Sequence, residues 1–296
     1  MSLKKYFIPS NYFYNLLKLL RAHNLIINHQ VMPVSFDDLS VLKGVKLTYF
    51  NIDISDFEKW VKQYFPEFRK QFRHLWHKKL IEFYTTFTLL DPQPDDVIMD
   101  AAGGQYTYLD KIESRKIYLQ DIMISKTLKN NLGKKVEFIE SDVREINLPD
   151  NSIDKISCHH SFEHFQSDSD ILFIKEIQRL LNMEGKCCIL PIFIANRYIE
   201  VTNALTFNKK FDIKSKLVID PTAIIPGGKE SGRYSRIYNL NAFQERILSN
   251  IDYSNFKVTI SELRMNGNAV PDLTLKCHKD IAEIERPYRA MVIERF

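Results

Sequence analysis

A chain of 296 residues can form one large domain, or a core domain with an added region. Hydrophobic residues make up 45% and charged residues 26%, ordinary values that predict a sizeable core. The net charge of +4 does not by itself indicate nucleic-acid binding, because 41 basic residues are nearly matched by 37 acidic ones.

Membrane, secretory and cysteine-dependent classes are also disfavoured. No apolar run approaches the roughly 18 residues that a membrane-spanning helix needs. The apolar stretch near the N-terminus is broken by proline and asparagine and has no small-residue cleavage site, which argues against a signal peptide. None of the four cysteines forms a Cys-x-x-Cys pair, which argues against a zinc ribbon. We therefore expect free thiols and a cytoplasmic protein.

Residues 1–90 are predicted to form a helical N-terminal cap that contributes to substrate binding. Apolar residues recur at three and four between positions 12 and 20, and again from Pro66 to about Leu90, which is typical of amphipathic helices. Residues 45–54 are predicted to include a short strand. A proline-containing break at 91–95 then marks the boundary of the cap.

Residues 91–296 alternate between strand and helix patterns, which predicts an α/β fold with a mostly parallel sheet. The predicted strands are 96–100, 116–120, 135–140, 153–158, 186–192, 256–260 and 288–293. The predicted helices are 105–114, 124–131, 167–181 and 240–250. No long helix separates the last two strands, so we expect them to pair antiparallel and to complete a Rossmann-like sheet of seven strands.

The stretch 195–238 is predicted to be an insertion in this domain. It is too long for an ordinary connection, and its glycines and prolines suit a loop or lid. Gly227-Gly228-Lys229 is not a phosphate-binding loop, because the position five before the Gly-Lys pair is Ala223.

Three aspartates end successive predicted strands. Asp100 precedes Gly103 and Gly104, and Asp121 and Asp142 follow at intervals of 21 residues. In open α/β sheets, ligands bind at the carboxyl ends of the strands. An acid about 20 residues after a glycine turn is placed to bind ribose hydroxyls. The pattern therefore predicts a cofactor that contains adenosine.

Four segments at these spacings resemble class I S-adenosylmethionine-dependent methyltransferases of the type with a Glu-His pair after the fourth strand. The resemblance covers roughly residues 91–296. Its segments are 97–104, 118–121, 140–143 and 153–164, and residues 177–185 also resemble the turn into the fifth strand.

The resemblance implies S-adenosylmethionine as cofactor. Asp121 would then accept hydrogen bonds from the ribose and Asp142 from the adenine amino group, while the Val143 N–H would meet a ring nitrogen. The helix after Gly103-Gly104 would present N–H groups to the methionine carboxylate. The full set of expected cofactor contacts is Asp100, Ala102, Gly103, Gly104, Asp121, Asp142, Val143 and His159. The alternatives are a simple strand-to-helix turn at Gly103-Gly104, a helix N-cap at Asp121 and a surface turn residue at Asp142.

The glycine loop departs from the family pattern. Glycine is usual at the positions held here by Ala102 and Tyr106, and only Gly104 keeps it. Tyr106 would change the wall of the cofactor pocket.

Catalysis is predicted at the segment that follows the fourth strand. His160 is the favoured general base and His164 the second choice, with Glu163 beside them, because a histidine titrates near neutral pH. The alternative is that these histidines pack or cap the start of a helix. The same three residues could also bind a divalent metal, although the further ligand of a zinc-protease motif is not evident. We predict no metal.

The acceptor is predicted to be a hydroxyl group of a small molecule, sugar or glycan. The Asn/Asp-Pro-Pro-aromatic run of many nucleic-acid amino-methyltransferases is absent after the fourth strand. Two alternatives remain: an RNA methyltransferase, and an interaction protein that binds the cofactor without catalysis. The sequence does not specify an oligomeric state. The residues that could recognise the acceptor, if they do not form a solvated loop, are Arg197, Tyr198, Arg233, Tyr234, Arg236 and Tyr238.

Overall fold

A sheet of nine strands forms the centre of the part of the protein that the computed structural model describes. The described residues are 31–66, 76–104, 108–132, 135–202, 211–219, 234–270 and 287–296. The sheet consists of β1 (Val45–Ile52), β2 (Val97–Ala101), β3 (Lys116–Asp121), β4 (Val136–Glu140), β5 (Ile153–His159), β6 (Leu181–Leu190), β10 (Phe256–Met265), β11 (Asn268–Ala269) and β12 (Arg289–Arg295). Strands β7 (Ile199–Thr202), β8 (Lys216–Ile219) and β9 (Ser235–Ile237) form a second, smaller sheet.

The strand order of the main sheet is β1-β10-β12-β6-β5-β2-β3-β4, with β11 paired to β10. Neighbouring strands from β6 to β4 run parallel, whereas β12 is antiparallel to both β6 and β10. All seven predicted strands are present, and the predicted antiparallel pairing of the last two is confirmed. The sheet is a Rossmann-like α/β sheet with additional strands at one edge.

Helices cover both faces of this sheet. They are α1 (Ile54–Tyr64), α2 (Trp76–Leu90), α3 (Lys126–Leu132), α4 (Ser169–Leu180) and α5 (Leu240–Arg246). Successive side chains of β2 enter different cores: Ile98 packs with α1, α2 and α3, and Met99 packs with α4 and α5. Cys187 and Cys188 divide between the two cores in the same way, and both are buried free thiols.

The N-terminal region takes part in the main sheet, which the prediction of a helical cap over 1–90 did not include. Strand β1 pairs in parallel with β10, from Val45 opposite Val258 to Ile52 opposite Met265. Helix α1 follows directly, and Asp53 caps it by accepting a hydrogen bond from the Asp56 N–H. The helix predicted around residues 12–20 lies outside the described residues.

The connection from β2 to β3 contains less helix than predicted. Of the described residues in it, only Leu109–Lys111 are helical, as a short 3-10 turn. Just before β3, the N–H of Arg115 donates to Asp96 O, which lies just before β2, at 3.0 Å. The predicted helix over 105–114, with its N-terminus facing the cofactor carboxylate, is therefore wrong for residues 108–114.

The predicted loop over 195–238 contains regular structure. Strand β7 lies between β8, to which it is parallel, and β9, to which it is antiparallel. Residues 203–210 and 220–233, including most of the glycines and prolines of this stretch, lie outside the described residues. No helix among the described residues is long and apolar enough to cross a membrane.

Candidate active site

The carboxyl ends of β2 and β5 meet at a buried acidic group. Asp100 is fully buried, and its Oδ1 accepts a hydrogen bond from Ser157 Oγ at 2.9 Å. Its Oδ2 has no hydrogen-bond partner among the described residues. His159 Nδ1 lies 3.6 Å from Asp100 Oδ1, while His159 Nε2 contacts Thr86 Oγ1 at 2.8 Å. A buried carboxylate oxygen without a partner is costly, which favours a ligand donor at this point.

The turn after Asp100 has room only for small residues. A Cβ added to Gly103 would lie 2.8 Å from Asp100 Oδ2, so a larger residue would disturb that carboxylate. Gly104 has a φ of +62° and open space where a side chain would stand. Ala102 adopts a φ of 50° although it is not glycine, and its N–H donates to Gln120 Oε1. This small-residue cradle fits the cofactor that the resemblance implies.

Asp121 lies beside this cradle. Its Oδ2 accepts from the Gly104 N–H at 2.9 Å and its Oδ1 from the Met123 N–H at 3.1 Å. The two residues that follow it, Ile122 and Met123, are 75% and 81% exposed. An exposed apolar surface therefore lies next to the Asp121 carboxylate in the sequence. The exposure of Ile122 and Met123 was not predicted, since the sequence alone does not reveal it.

Asp142 already has a strong partner at the end of β4. Arg144 Nε and Nη2 donate to its two carboxylate oxygens, each at 2.9 Å. This bidentate pair lowers the pKa of Asp142. Asp142 therefore stays an acceptor at neutral pH. Its Oδ1 also accepts from the Arg144 N–H at 2.9 Å, so within the described contacts Oδ2 is the oxygen that keeps a lone pair for a further donor. Val143 is buried beside it.

His160 lies between two carboxylates. Its Nδ1 contacts Glu163 Oε1 at 3.2 Å and its Nε2 contacts Glu82 Oε1 at 2.9 Å. The hydroxyl of Tyr288 lies 2.5 Å from the same Nε2 and donates to Glu82 Oε1. The backbone of His160 is in the left-handed region, with φ at 48°. Both ring nitrogens of the favoured base are thus occupied by protein groups.

His164 is held differently. Its Nδ1 lies 2.6 Å from the backbone oxygen of Tyr234, and its Nε2 lies 3.7 Å from Glu163 Oε1. A carbonyl oxygen only accepts, so Nδ1 carries the proton of the neutral ring and Nε2 carries the lone pair. Burial alone would raise the pKa of Glu163, but His164 and His160 lower it to about 2. An ionised Glu163 favours a proton on His164 Nε2.

Two residues of this cluster were not predicted from the sequence. Glu82 comes from α2 and is fully buried, and Lys79 Nζ pairs with its Oε2 at 2.8 Å. Tyr288 precedes β12 and is also buried. The one sequence signal was a glutamate within the apolar run of α2, from Leu80 to Leu90. A lone carboxylate on an apolar helix face is a signal for a buried polar contact.

Four of the residues expected to recognise an acceptor instead belong to a buried ionic network. Arg236 has no exposed surface and pairs with Asp170 at 2.6 Å and with Glu200 at 2.8 Å. The described tyrosines of that set also donate within the network: Tyr234 to Glu200, Tyr238 to Asp170 and Tyr198 to Asp212. The proposed acceptor role of Arg236 and these tyrosines is therefore wrong, and so is the solvated-loop alternative for these four residues, whereas Arg197 is exposed. Arg233 lies outside the described residues.

The predicted residues thus fall into two neighbouring groups. Asp100, Gly103, Gly104 and Asp121 share contacts at the ends of β2 and β3, while Asp142 ends β4 with a partner of its own. His160, Glu163 and His164 form the second group after β5. Ser161 joins the two, because its Oγ donates to the Ala102 backbone oxygen at 2.8 Å. Among the described side chains, no group of three or more His, Cys, Asp or Glu has the arrangement of a metal site.

Comparison with known proteins identifies the family of the central segment. The sequence matches no curated protein. Among solved structures it is similar to the 1,6-didemethyltoxoflavin-N1-methyltransferase of Burkholderia thailandensis bound to 1,6-didemethyltoxoflavin and S-adenosylhomocysteine (12% identity, TM-score 0.47, 90% of this chain and 94% of that one). It is also similar to a chain in a complex of the Haloferax volcanii Trm112 methyltransferase activator with a methyltransferase (11% identity, TM-score 0.48, 81% of this chain and 97% of that one). A third similar structure is a SAM-dependent methyltransferase from Aquifex aeolicus (17% identity, TM-score 0.37, 82% of this chain and 98% of that one). Residues 101–189 match the family model of a methyltransferase domain, from the end of β2 into β6.

Proposed function

We propose that this chain, whose residues 101–189 match a methyltransferase domain, transfers a methyl group from S-adenosylmethionine to a hydroxyl group of a small-molecule or sugar acceptor, with His164 as the general base. The observation that carries the proposal is the hydrogen bond from His164 Nδ1 to Tyr234 O at 2.6 Å. This bond places the lone pair on Nε2. A hydroxyl is a weak nucleophile, so its proton must be removed as the new bond forms.

Charge around His164 supports this role. Glu163 is buried and ionised, and its Oε1 lies 3.7 Å from Nε2. A proton taken up at Nε2 creates an imidazolium that this carboxylate stabilises. The side chain of His164 is 34% exposed, against 16% for His160, so an acceptor can reach it more readily. The order of preference from the sequence, His160 before His164, is therefore reversed in the proposal.

The cofactor contacts in this proposal follow the first group of residues. S-adenosylmethionine would supply a methyl group that is activated by its sulfonium charge. Asp121 and the Gly103-Gly104 turn would hold the ribose and the methionine part, and Ile122 and Met123 would pack on the adenine. Asp142, with its lowered pKa, would accept from the adenine amino group. Asp100 Oδ2, for which the described part of the chain provides no hydrogen-bond partner, would accept from a donor of the bound cofactor.

The first test separates binding from transfer. Calorimetric titration with S-adenosylmethionine should give binding that Asp121→Ala weakens and His164→Ala leaves intact. Labelled methyl transfer to a panel of phenol, glycan and lipid hydroxyls should then fall about 100- to 10,000-fold in His164→Ala. His164→Gln, which preserves the side-chain polarity without a titratable nitrogen, should be equally inactive.

Two other outcomes would replace the proposal. Transfer to RNA, with affinity that falls steeply as salt is raised, would indicate an RNA methyltransferase. Binding of the cofactor without transfer to any acceptor in the panels would favour the interaction protein.

A further inference from the structure

We propose that Glu82 is a positioning residue that keeps His160 protonated, so that His160 serves as a fixed cation and His164 alone exchanges a proton with the acceptor. The inference rests on the proposed function for the role of His164. The protonation state of His160 can be tested without it.

The first argument is the number of acceptors around His160. Glu82 Oε1 lies 2.9 Å from Nε2 and Glu163 Oε1 lies 3.2 Å from Nδ1. An ionised carboxylate only accepts hydrogen bonds, and a neutral imidazole has only one N–H to donate. Both contacts are satisfied at once only when both ring nitrogens carry protons.

The hydroxyl of Tyr288 fits the same assignment. It donates its own proton to Glu82 Oε1, which leaves its oxygen free to accept from His160 Nε2 at 2.5 Å. The Nε2–H of a protonated ring thus donates to the tyrosine oxygen, while Glu82 Oε1, 2.9 Å from the same nitrogen, is its charge partner. Tyr288 therefore adds a second acceptor on the same side of the ring.

The described charged groups around this ring balance when His160 is a cation. Lys79 contacts Glu82 Oε2 at 2.8 Å, and Glu163 faces both histidines. Phe193 adds only an aromatic ring, 6.3 Å from the imidazole between centroids. With Lys79 and His160 positive and Glu82 and Glu163 negative, these four described charges sum to zero while His164 is neutral. The cluster then gains one charge when His164 takes a proton from the acceptor.

The difference between the two histidines follows from these contacts. Two carboxylates lie within 3.2 Å of the ring nitrogens of His160. Among the described contacts of His164, Tyr234 O and Ser235 Oγ lie at Nδ1, and its carboxylate neighbour is 3.7 Å from Nε2. The second carboxylate of His160 is Glu82, which comes from α2 and lies outside the segment that matches the methyltransferase family. Glu82 is thus the residue that makes the two rings unequal.

The test is NMR spectroscopy of the full-length protein with 15N-labelled histidine, without cofactor or acceptor. In the wild-type protein, both nitrogens of His160 should keep imidazolium shifts up to about pH 8, well above the ordinary histidine pKa of about 6.5. In Glu82→Gln, the midpoint for His160 should fall by roughly 1–3 pH units, because one of its two anionic partners is lost. Glu82→Asp should restore part of this shift.

Two controls separate this role from a general effect on folding. Glu176→Gln makes the same change in a buried carboxylate of α4, which is paired with Arg179 at 2.7 Å, and it should leave the His160 titration unchanged. Tyr288→Phe keeps both carboxylates, so His160 should remain an imidazolium in that variant. If Glu82→Gln does not fold, the protonation state of His160 can still be measured in Tyr288→Phe.

The outcomes are separable from those of the proposed function. A wild-type His160 that titrates at an ordinary pH, or loss of the imidazolium in Tyr288→Phe with Glu82 intact, would overturn the role of Glu82. If His160 stays protonated and methyl transfer is detected, Glu82→Gln should shift the pH profile of kcat/KM. His164→Ala should remove the activity instead. A persistent imidazolium without any methyl transfer would leave the Glu82 assignment standing while the proposed function falls.

Discussion

The cluster around His160 and the network around Arg236 both bury carboxylates against cations, but they use different cations. In the network, Arg236 and Arg246 share Asp170, and Arg246 also pairs with Asp212 at 2.8 Å. A guanidinium does not lose its proton in a protein, and its fork of donors matches carboxylates. The cations of this network therefore keep their charge at any pH, and their ion pairs join the small sheet to α4 and α5 wherever the carboxylates are ionised.

The histidine cluster can change its charge. An imidazole gains or loses a proton near neutral pH, and Glu163 keeps one oxygen, Oε2, without a partner among the described residues. The two regions meet where His164 contacts the backbone of Tyr234, next to β9. Buried charge alone did not distinguish the reactive region from the structural one. The two regions are distinguished by the type of cation, arginine or histidine, and by Glu163 Oε2, which has no partner among the described residues.

The largest expected effect would test the structural half of this comparison. Arg236→Met leaves Asp170 and Glu200 buried with one cation fewer, so the free energy of unfolding should fall by about 3–5 kcal/mol. Denaturant unfolding measures it. Lys257→Met breaks the exposed pair with Glu294 and should change the stability little. Equal effects of the two substitutions would mean that the network is not structural.

A second prediction concerns the acid range of the histidine cluster. The folded-state pKa of Glu163 is about 2, below its ordinary value of 4.5, so its ionised form stabilises the fold. This contribution is complete above about pH 4.5 and is lost as the pH falls towards 2, and it amounts to up to about 3 kcal/mol. The stability difference between the wild-type protein and Glu163→Gln should therefore shrink between pH 5 and about pH 3. A difference that stays constant over this range would contradict the charge assignment.

The smallest expected effect concerns backbone strain at Ala102, in the small-residue cradle. Ala102 has a φ of 50°, a conformation that costs an alanine about 1 kcal/mol and a glycine almost nothing. Ala102→Gly should raise the free energy of unfolding by up to about that amount, less the backbone entropy that glycine loses on folding. The matched control is Ala101→Gly in the extended strand β2, which should destabilise the protein instead. If both substitutions destabilise equally, the left-handed backbone at Ala102 carries no strain.

Seven strands of the main sheet were predicted from the sequence because each one is a short apolar run, which can be recognised from neighbouring residues alone. The sequence also placed Asp100, Asp121 and Asp142 at strand ends, since parallel strands bring their carboxyl ends to one edge. It could not predict Glu82 or Tyr288 beside His160, because those contacts join residues that are far apart in the chain. The role of Arg236 was mistaken for a similar reason: Asp170 and Glu200, which neutralise it, come from other elements.

The parallel pairing of β1 with β10 has a consequence for how the chain folds. Thr48 and Ser261, whose hydroxyls lie 2.8 Å apart across these strands, are separated by 213 positions in the sequence. During synthesis, β1 leaves the ribosome long before its partner strand exists, so it must wait until nearly the whole chain has been made. Such a non-local pairing slows folding. A chain that is stopped before residue 256 would expose β1 as an unpaired edge, which is a site for aggregation.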